Sequence, residues 1–143
     1  NGRPVVTVTR VASFSAAHRL HSIHLSAEEN ASLFGKCNWP NGHGHNYTVE
    51  VSVRGPVDPS TGMVMNIANL NQIIDEKLLS QVDHCCLDKD VAYFANEGHV
   101  STTEMLAVFA WDCLKPHLPD GLLHKVCVWE TPKNAFVYKG QRA

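Results

Sequence analysis

The chain has 143 residues, of which 44% are hydrophobic and 18% charged, and its formal net charge at pH 7 is −2. This length fits a single domain spanning residues 1–143, and the weakly acidic balance argues against a nucleic-acid-binding surface. The sequence has no apolar run long enough to span a bilayer and no signal-peptide pattern. Its five cysteines include no Cys-x-x-Cys pair, so we expect reduced thiols in a soluble cytoplasmic protein.

The first predicted element is a strand over residues 5–18. Most of its even positions are apolar, and Arg10 is the exception. His18 ends this apolar phase, which would place its imidazole at the end of a buried face. The alternative is a core histidine held by a hydrogen bond.

A long connection with one short helix leads to the next strand. Ser26 and Glu29 form a capping box at the start of this helix, and Gly35 supplies a stop signal at its end. The remainder of the loop brings Lys36, Cys37 and Trp39 to the start of the second strand.

The second strand begins at the sequence His43-Gly-His45. Its apolar face comprises Tyr47, Val49, Val51 and Val53. Because side chains on a strand alternate between faces, His43 and His45 extend this face if the strand begins early enough. A His-x-His pair on a strand can bind a metal such as zinc, although two solvated histidines are the alternative.

Two amphipathic helices and two further strands follow. The first helix is capped by Asn66 and ends near Val82, and the second begins at a capping box formed by Ser101 and Glu104. Strands are predicted over residues 122–131 and 135–139. This β-β-α-α-β-β order predicts an α+β fold in which both helices cover one face of an antiparallel four-stranded sheet. The open sheet edges favour subunit pairing.

His18, His43 and His45 together offer the donor set of a catalytic zinc that keeps a fourth coordination position open. Cys37 has two interpretations. As a fourth ligand it would close a structural site, whereas as a free thiolate beside the metal it would be a general base.

Three further side chains are candidates for acid–base chemistry or ligand binding. Asp83 and His84 follow a helix and could orient each other for proton transfer, although a surface Asp beside a helix-terminal His is the alternative. Glu130 continues the buried phase at a strand end. There it could bind paired N–H groups of a guanidine-like ring edge, or else pair with Arg or Lys or remain exposed.

These features resemble the 6-pyruvoyl-tetrahydropterin synthase family over nearly the whole chain. A cysteine followed by five residues and then His-Gly-His is the most specific part of the resemblance. The matching stretches are FSAAHRL (14–20), GKCNWPNGHGHNY (35–47), DPSTGMVMN (58–66), VDHCCLD (82–88), STTE (101–104), and VWET followed by VYKG.

The resemblance implies conversion of 7,8-dihydroneopterin triphosphate to 6-pyruvoyl-tetrahydropterin, with release of triphosphate, in tetrahydrobiopterin biosynthesis. It implies one Zn²⁺ per subunit, with Mg²⁺ as a second candidate metal for activity. The matching functional positions are the zinc ligands His18, His43 and His45, the catalytic group Cys37, Asp83 and His84, the pterin anchor Glu130, and the pocket residues Thr102, Thr103 and Glu104.

The resemblance also implies the tunnelling fold. In this fold, trimers close their sheets into a barrel, two trimers stack into a homohexamer, and the active sites lie between subunits. Two departures from the family pattern put the local loop geometry in question. Cys85 and Cys86 replace a usual Lys-Asn pair, and Trp39 replaces a small polar residue.

Three competing functions follow from the same residues. The related 6-carboxy-tetrahydropterin synthases usually have three residues between the cysteine and His-Gly-His, and the five residues here favour the pyruvoyl activity. A hydratase or hydrolase built on zinc hydroxide needs only the histidines. A non-enzymatic module would use zinc for folding alone.

Arg19 and Lys36 are either triphosphate contacts or solvated surface residues.

Overall fold

A five-stranded sheet forms the centre of the computed structural model, which describes residues 2–143. The strands lie in the order β3-β1-β2-β4-β5, and all neighbours are antiparallel except β3 and β1. Their bounds are β1 Val5–His18, β2 His43–Pro56, β3 Cys85–Cys86, β4 Leu123–Thr131 and β5 Asn134–Tyr138. The predicted α+β fold is confirmed.

The pairing of β1 with β2 sets the position of the histidines. Its register places His18 opposite His43 and Ala16 opposite His45. Partners that face each other across an antiparallel pair share one face of the sheet. The small Ala16 side chain therefore leaves space between the imidazoles, and Tyr47 lies beneath them on the same face.

The first helix, α1 (Ala27–Phe34), begins as predicted. The Glu29 N–H donates to Ser26 Oγ at 3.1 Å, and the Ser26 N–H donates to Glu29 Oε1 at 3.0 Å, which completes the capping box. Gly35 then adopts a positive φ of 55°, and the chain continues into a 3₁₀ turn over Gly35–Asn38.

The second helical segment is continuous but not regular. It comprises α2 (Ile67–Ile74), a π-helical turn (Asp75–Leu79) and α3 (Ser80–Val82), and Asn66 caps it as predicted. Its buried side chains recur every fourth residue at Leu70, Ile74, Leu78 and Val82. In a regular α-helix this spacing rotates the apolar stripe away from the core, and the wider π turn rotates it back.

The predicted start of the last long helix is wrong by one residue. Short helices α4 (Leu87–Asp90) and α5 (Ala92–Ala95) precede α6 (Thr103–Leu114), whose N-cap is Thr102. Thr102 Oγ1 accepts from the Met105 N–H at 3.3 Å. Ser101 does not cap the helix because its hydroxyl donates instead to the Asp88 carboxylate at 2.7 Å.

The sheet has five strands rather than the four predicted. The additional strand, β3, pairs in parallel with β1 through Ala16 and Cys85 and through Ala17 and Cys86. Two residues are too few to display a period of two, so the sequence pattern does not reveal this strand. The strands β4 and β5 match the predicted pair to within one residue at each end.

One core lies between the sheet and the long helices. The four alternating apolar residues of β2 are fully buried there with Leu70 and Leu106, so both helices cover one sheet face as predicted. The first half of β1 is less buried than β2, because Val5, Val6 and Val11 are 43–56% exposed.

No helix within residues 2–143 is both long and apolar enough to cross a membrane.

Candidate metal centre and catalytic residues

The three predicted metal ligands form one cluster. One nitrogen from each of His18, His43 and His45 lies within 4.8 Å of the other two. The Nε2 atoms of His18 and His43 are 3.1 Å apart. Two imidazole nitrogens on one tetrahedral zinc are separated by roughly 3.3 Å, so the spacing fits a shared metal ion.

His18 is held in the orientation that a ligand needs. It is 1% exposed, and its Nδ1–H donates to the carbonyl oxygen of Ser101 at 2.6 Å. This bond leaves the lone pair on Nε2, which faces the other two rings. Burial has the largest effect on His18 and lowers its pKa, which favours the neutral imidazole that binds metals.

His45 has a buried nitrogen whose hydrogen-bonding capacity is unsatisfied among the described residues. Its Nε2 is buried and has no hydrogen-bond partner within residues 2–143. The nearest carboxylate oxygen, Oε1 of Glu130, is 3.5 Å away, beyond ordinary hydrogen-bond length. Leaving a buried polar atom unpaired costs about 1–3 kcal/mol. A metal ion on this nitrogen would remove that cost, so the donor set fits zinc.

A second layer of hydrogen bonds supports the cluster. Asp88 accepts from the Arg19 N–H at 2.6 Å and from the Ser101 hydroxyl at 2.7 Å. Because Ser101 in turn binds His18, the carboxylate fixes both the strand end and the loop that orient this ligand. Sequence reasoning did not identify Asp88 or assign this role to Ser101, since neither position carries a local pattern that indicates it.

Cys37 lies next to the cluster in sequence but is not one of its ligand groups. Within residues 2–143 the group that could hold a metal contains three histidines and no cysteine. The half-buried Cys37 lies in the 3₁₀ turn, where its carbonyl accepts from the Leu20 N–H at 2.8 Å. The geometry therefore favours an open fourth position over a closed structural site.

Asp83 and His84 contact each other despite being adjacent in sequence. His84 has a positive φ of 63°, and its Nδ1 lies 3.0 Å from Asp83 Oδ1. The pair is attached to β1, because Asp83 accepts from the Ser15 N–H at 3.0 Å and the His84 N–H donates to the Ser15 carbonyl at 2.6 Å. The Ser15 bond, followed by smaller effects of His84, holds the pKa of Asp83 below its usual range.

The two parts of the predicted catalytic group are attached to the chain on either side of His18. Asp83 and His84 contact Ser15, whereas the Cys37 turn contacts Leu20. The strand from Ser15 to His18 alone covers about 10 Å.

The predicted pterin-binding residues differ in their surroundings. Glu130 is partly exposed, and within residues 2–143 no Lys or Arg forms an ion pair with it. The Thr103 hydroxyl is buried and has no partner among the described residues 2–143, whereas the Thr102 hydroxyl caps α6 and Glu104 is exposed in its first turn. Glu130 and Thr103 therefore each have unused hydrogen-bonding capacity.

A family model described as 6-pyruvoyl tetrahydropterin synthase matches residues 7–141. The chain belongs to this family. The human 6-pyruvoyl tetrahydrobiopterin synthase is 58% identical over 134 residues, covering 94% of this chain and 91% of the human protein. The Drosophila melanogaster enzyme of the same name is 54% identical over 140 residues, covering 96% of this chain and 82% of its own.

The fold is also that of the 6-pyruvoyl tetrahydropterin synthase family. The solved Caenorhabditis elegans 6-pyruvoyl tetrahydropterin synthase superposes with a TM-score of 0.93 at 50% identity, covering 99% of both chains. The resemblance drawn from the motifs is confirmed, and with it an enzyme for 6-pyruvoyl tetrahydropterin synthesis in the tetrahydrobiopterin pathway.

The two departures from the family pattern lie outside the histidine cluster. Trp39 is 64% exposed, so the larger ring extends from the cysteine loop toward solvent. Cys85 and Cys86 form β3, whose pairing with β1 uses backbone groups. Backbone pairing accepts many side chains, so this strand places no strict requirement on the two side chains that it carries.

Proposed function

We propose that this enzyme, as one domain over residues 1–143, carries out the zinc-dependent conversion of 7,8-dihydroneopterin triphosphate to 6-pyruvoyl-tetrahydropterin with release of triphosphate. The observation that carries the proposal is the cluster of His18, His43 and His45, whose ligand nitrogens lie within 4.8 Å of one another. Family membership supports the reaction class, and the cluster supports a site for the metal.

The three histidines would hold Zn²⁺, with His18 oriented by Ser101 and His45 contributing its unpaired buried Nε2. When bound, zinc supplies a Lewis acid that polarises the substrate's side-chain hydroxyls and acidifies the adjacent carbon–hydrogen bond. Binding requires neutral imidazoles, and burial lowers the pKa of both His18 and His45 in that direction.

Cys37 is proposed as the general base that removes the proton from the side-chain carbon. A thiolate is the competent form, and a nearby cation stabilises it. The electron pair left by the proton moves into the pterin ring, which is reduced by tautomerisation. Triphosphate leaves by elimination, and a further tautomerisation gives the diketone side chain without an external hydride donor.

Asp83 and His84 are proposed to move protons at the other side of the substrate. The carboxylate binds His84 at Nδ1, which orients the ring and leaves Nε2 free to exchange a proton. His84 is 84% exposed in the single chain and so is accessible to a substrate held partly by another subunit.

Glu130 is proposed to anchor the pterin ring through paired N–H groups. Its carboxylate lies at the end of β4 beside His45 and has no Lys or Arg partner within residues 2–143. A pterin edge would provide two parallel donors, which is the geometry a carboxylate accepts most strongly. Thr102, Thr103 and Glu104 are proposed to line the same pocket, with the unpaired Thr103 hydroxyl as its donor.

The proposed functional unit is a cytoplasmic homohexamer, a dimer of trimers with active sites between subunits. Two features of the single chain support an assembly. The outer half of β1 exposes Val5, Val6 and Val11, and Cys37 is attached to a different stretch of chain from Asp83 and His84. Mg²⁺ remains part of the proposal as a requirement for activity, without an assigned site.

Product analysis tests the reaction. Purified protein is incubated anaerobically with 7,8-dihydroneopterin triphosphate, Zn²⁺ and Mg²⁺, and products are identified by mass spectrometry. We expect 6-pyruvoyl-tetrahydropterin and free triphosphate. Formation of 6-carboxy-tetrahydropterin and acetaldehyde would assign the related activity instead, and unchanged substrate would contradict the proposal.

A Cys37→Ala variant separates a catalytic metal site from a structural one. We expect the variant to keep one zinc per subunit and to lose turnover, because the thiol acts on substrate rather than on the metal. Loss of zinc from this variant would support the structural interpretation. His43→Ala is the matched control and should lose both metal and activity.

A further inference from the structure

We propose that Asn38 is a positioning residue that holds the Cys37 turn against the chain segment following His18. This inference rests on the proposed role of Cys37 as the base. Within the stretch 35–41, Asn38 is the only buried residue, at 8% exposure. All other residues of the stretch are exposed or, in the case of Cys37, half-buried.

The side-chain amide of Asn38 uses both of its hydrogens. Its Nδ2 donates to the Leu20 carbonyl at 2.7 Å and to Nδ1 of His21 at 2.9 Å. An amide turned the other way would place its oxygen against the Leu20 carbonyl oxygen, so these acceptors fix its orientation. The amide therefore connects the turn to two residues that follow His18 almost directly.

Two backbone contacts complete the attachment. The Arg19 guanidinium donates from Nε to the Asn38 carbonyl at 2.8 Å, and the Leu20 N–H donates to the Cys37 carbonyl at 2.8 Å. The Arg19 N–H is itself bound to Asp88 at 2.6 Å. Cys37 is thus joined through short hydrogen bonds to the same strand end that supplies a metal ligand.

The chemistry needs this attachment. A base must lie within hydrogen-bond reach of the proton that it removes, and a displacement of about 1 Å can reduce the rate about 100-fold. The turn has little buried side-chain surface to hold it, since its neighbours are exposed. The distance from the Cys37 thiol to the metal-bound substrate therefore depends on the Asn38 hydrogen bonds.

The test compares Asn38→Leu with Asn30→Leu. Leucine has nearly the shape of asparagine, adds no charge near the thiol, and removes the amide donors. Asn30 is a matched control because it is also buried, at 0% exposure, and donates to backbone carbonyls of Ser22 and Ser26 in the same connection. Both variants should lose stability, but only the first alters the Cys37 turn.

For Asn38→Leu we expect kcat to fall about 10- to 100-fold, with KM within about twofold and zinc content unchanged. The kinetic isotope effect on kcat, with substrate deuterated at the carbon that loses its proton, should rise as proton removal becomes slower. Asn30→Leu should leave both quantities near wild type. Equal losses in the two variants, or a raised KM with unchanged kcat, would overturn the inference.

Two further measurements keep the inference testable if Asn38→Leu folds poorly or if the proposed reaction is wrong. Arg19→Met removes the donor to the Asn38 carbonyl and should also lower kcat without raising KM. Alkylation of Cys37 by iodoacetamide is measured by peptide mass spectrometry and does not depend on turnover. We expect this alkylation to be faster in Asn38→Leu and in Arg19→Met than in the wild type. An unchanged alkylation rate overturns the inference, whereas an inactive wild type contradicts only the proposed function.

Discussion

His18 Nδ1 donates to the carbonyl oxygen of Ser101 across 83 positions of sequence, at a distance of 2.6 Å. This bond connects the end of β1 to the loop before α6 and selects the ring nitrogen that faces the other histidines. Ser101 is held in turn by Asp88 through its hydroxyl. The orientation of His18 within the histidine cluster therefore depends on residues outside the cluster.

Asp88→Asn should weaken zinc binding. The amide accepts less strongly than the carboxylate from Ser101 and Arg19, so the orientation of His18 becomes less fixed. Loss of such outer partners typically costs 10- to 100-fold in metal affinity, and we expect about 10-fold here. Chelator competition measures the change. Asp90→Asn is the control, since the Asp90 carboxylate accepts from the Cys86 N–H instead. If zinc affinity falls equally in both variants, Asp88 does not orient His18 as we infer.

Tyr47→Phe should stabilise the metal-free protein by about 1 kcal/mol. The Tyr47 side chain is 0% exposed and its hydroxyl has no partner within residues 2–143, so the hydroxyl loses hydration on folding without compensation. Urea unfolding in the presence of EDTA measures the difference. Tyr138→Phe, at a half-buried position, should change stability little. A clear loss of stability in Tyr47→Phe would reveal a hydrogen-bond partner such as an ordered water.

Cys113 should make stability fall as the pH rises above about 9. Burial raises the pKa of its thiol to about 11 from a usual value near 9. Between these values the unfolded chain has released the proton and the folded chain has kept it, so raising the pH favours unfolding. Cys113→Ala should flatten this part of the stability profile, measured by urea unfolding from pH 8 to 11. Cys86→Ala should retain the wild-type slope, and matching profiles for wild type and Cys113→Ala would refute the prediction.

Mixing two inactive variants should restore activity if each site draws on two subunits. In an equal mixture of Cys37→Ala and Asp83→Ala chains, random assembly places an intact Cys37 beside an intact Asp83 in about a quarter of sites. We expect about a quarter of wild-type turnover after dissociation and reassembly. Cys37→Ala mixed with Cys37→Ser is the control and should stay inactive. If assemblies shown to contain both variants recover no activity, the whole catalytic group lies in one chain.

Short-range patterns predicted much of the fold. Strand alternation placed His43, His45 and Tyr47 on one face, and the caps at Ser26 and Asn66 occur as predicted. These features depend on residues a few positions apart, so a single sequence displays them. The cap predicted at Ser101 does not form, because the Ser101 hydroxyl binds the Asp88 carboxylate, which lies 13 positions away in the chain and outside the local pattern.

Residue type, spacing and family motifs were enough to name the candidate groups of the site, among them the three histidines, Cys37 and Glu130. How these groups are held follows from contacts that form when the chain packs. The register that places His18 opposite His43, the Asp88 contact to Ser101 and the Asn38 contact to Leu20 join segments 13 to 25 positions apart. Such contacts form because buried polar groups must find partners when the chain packs, and local sequence does not specify which partners come within reach.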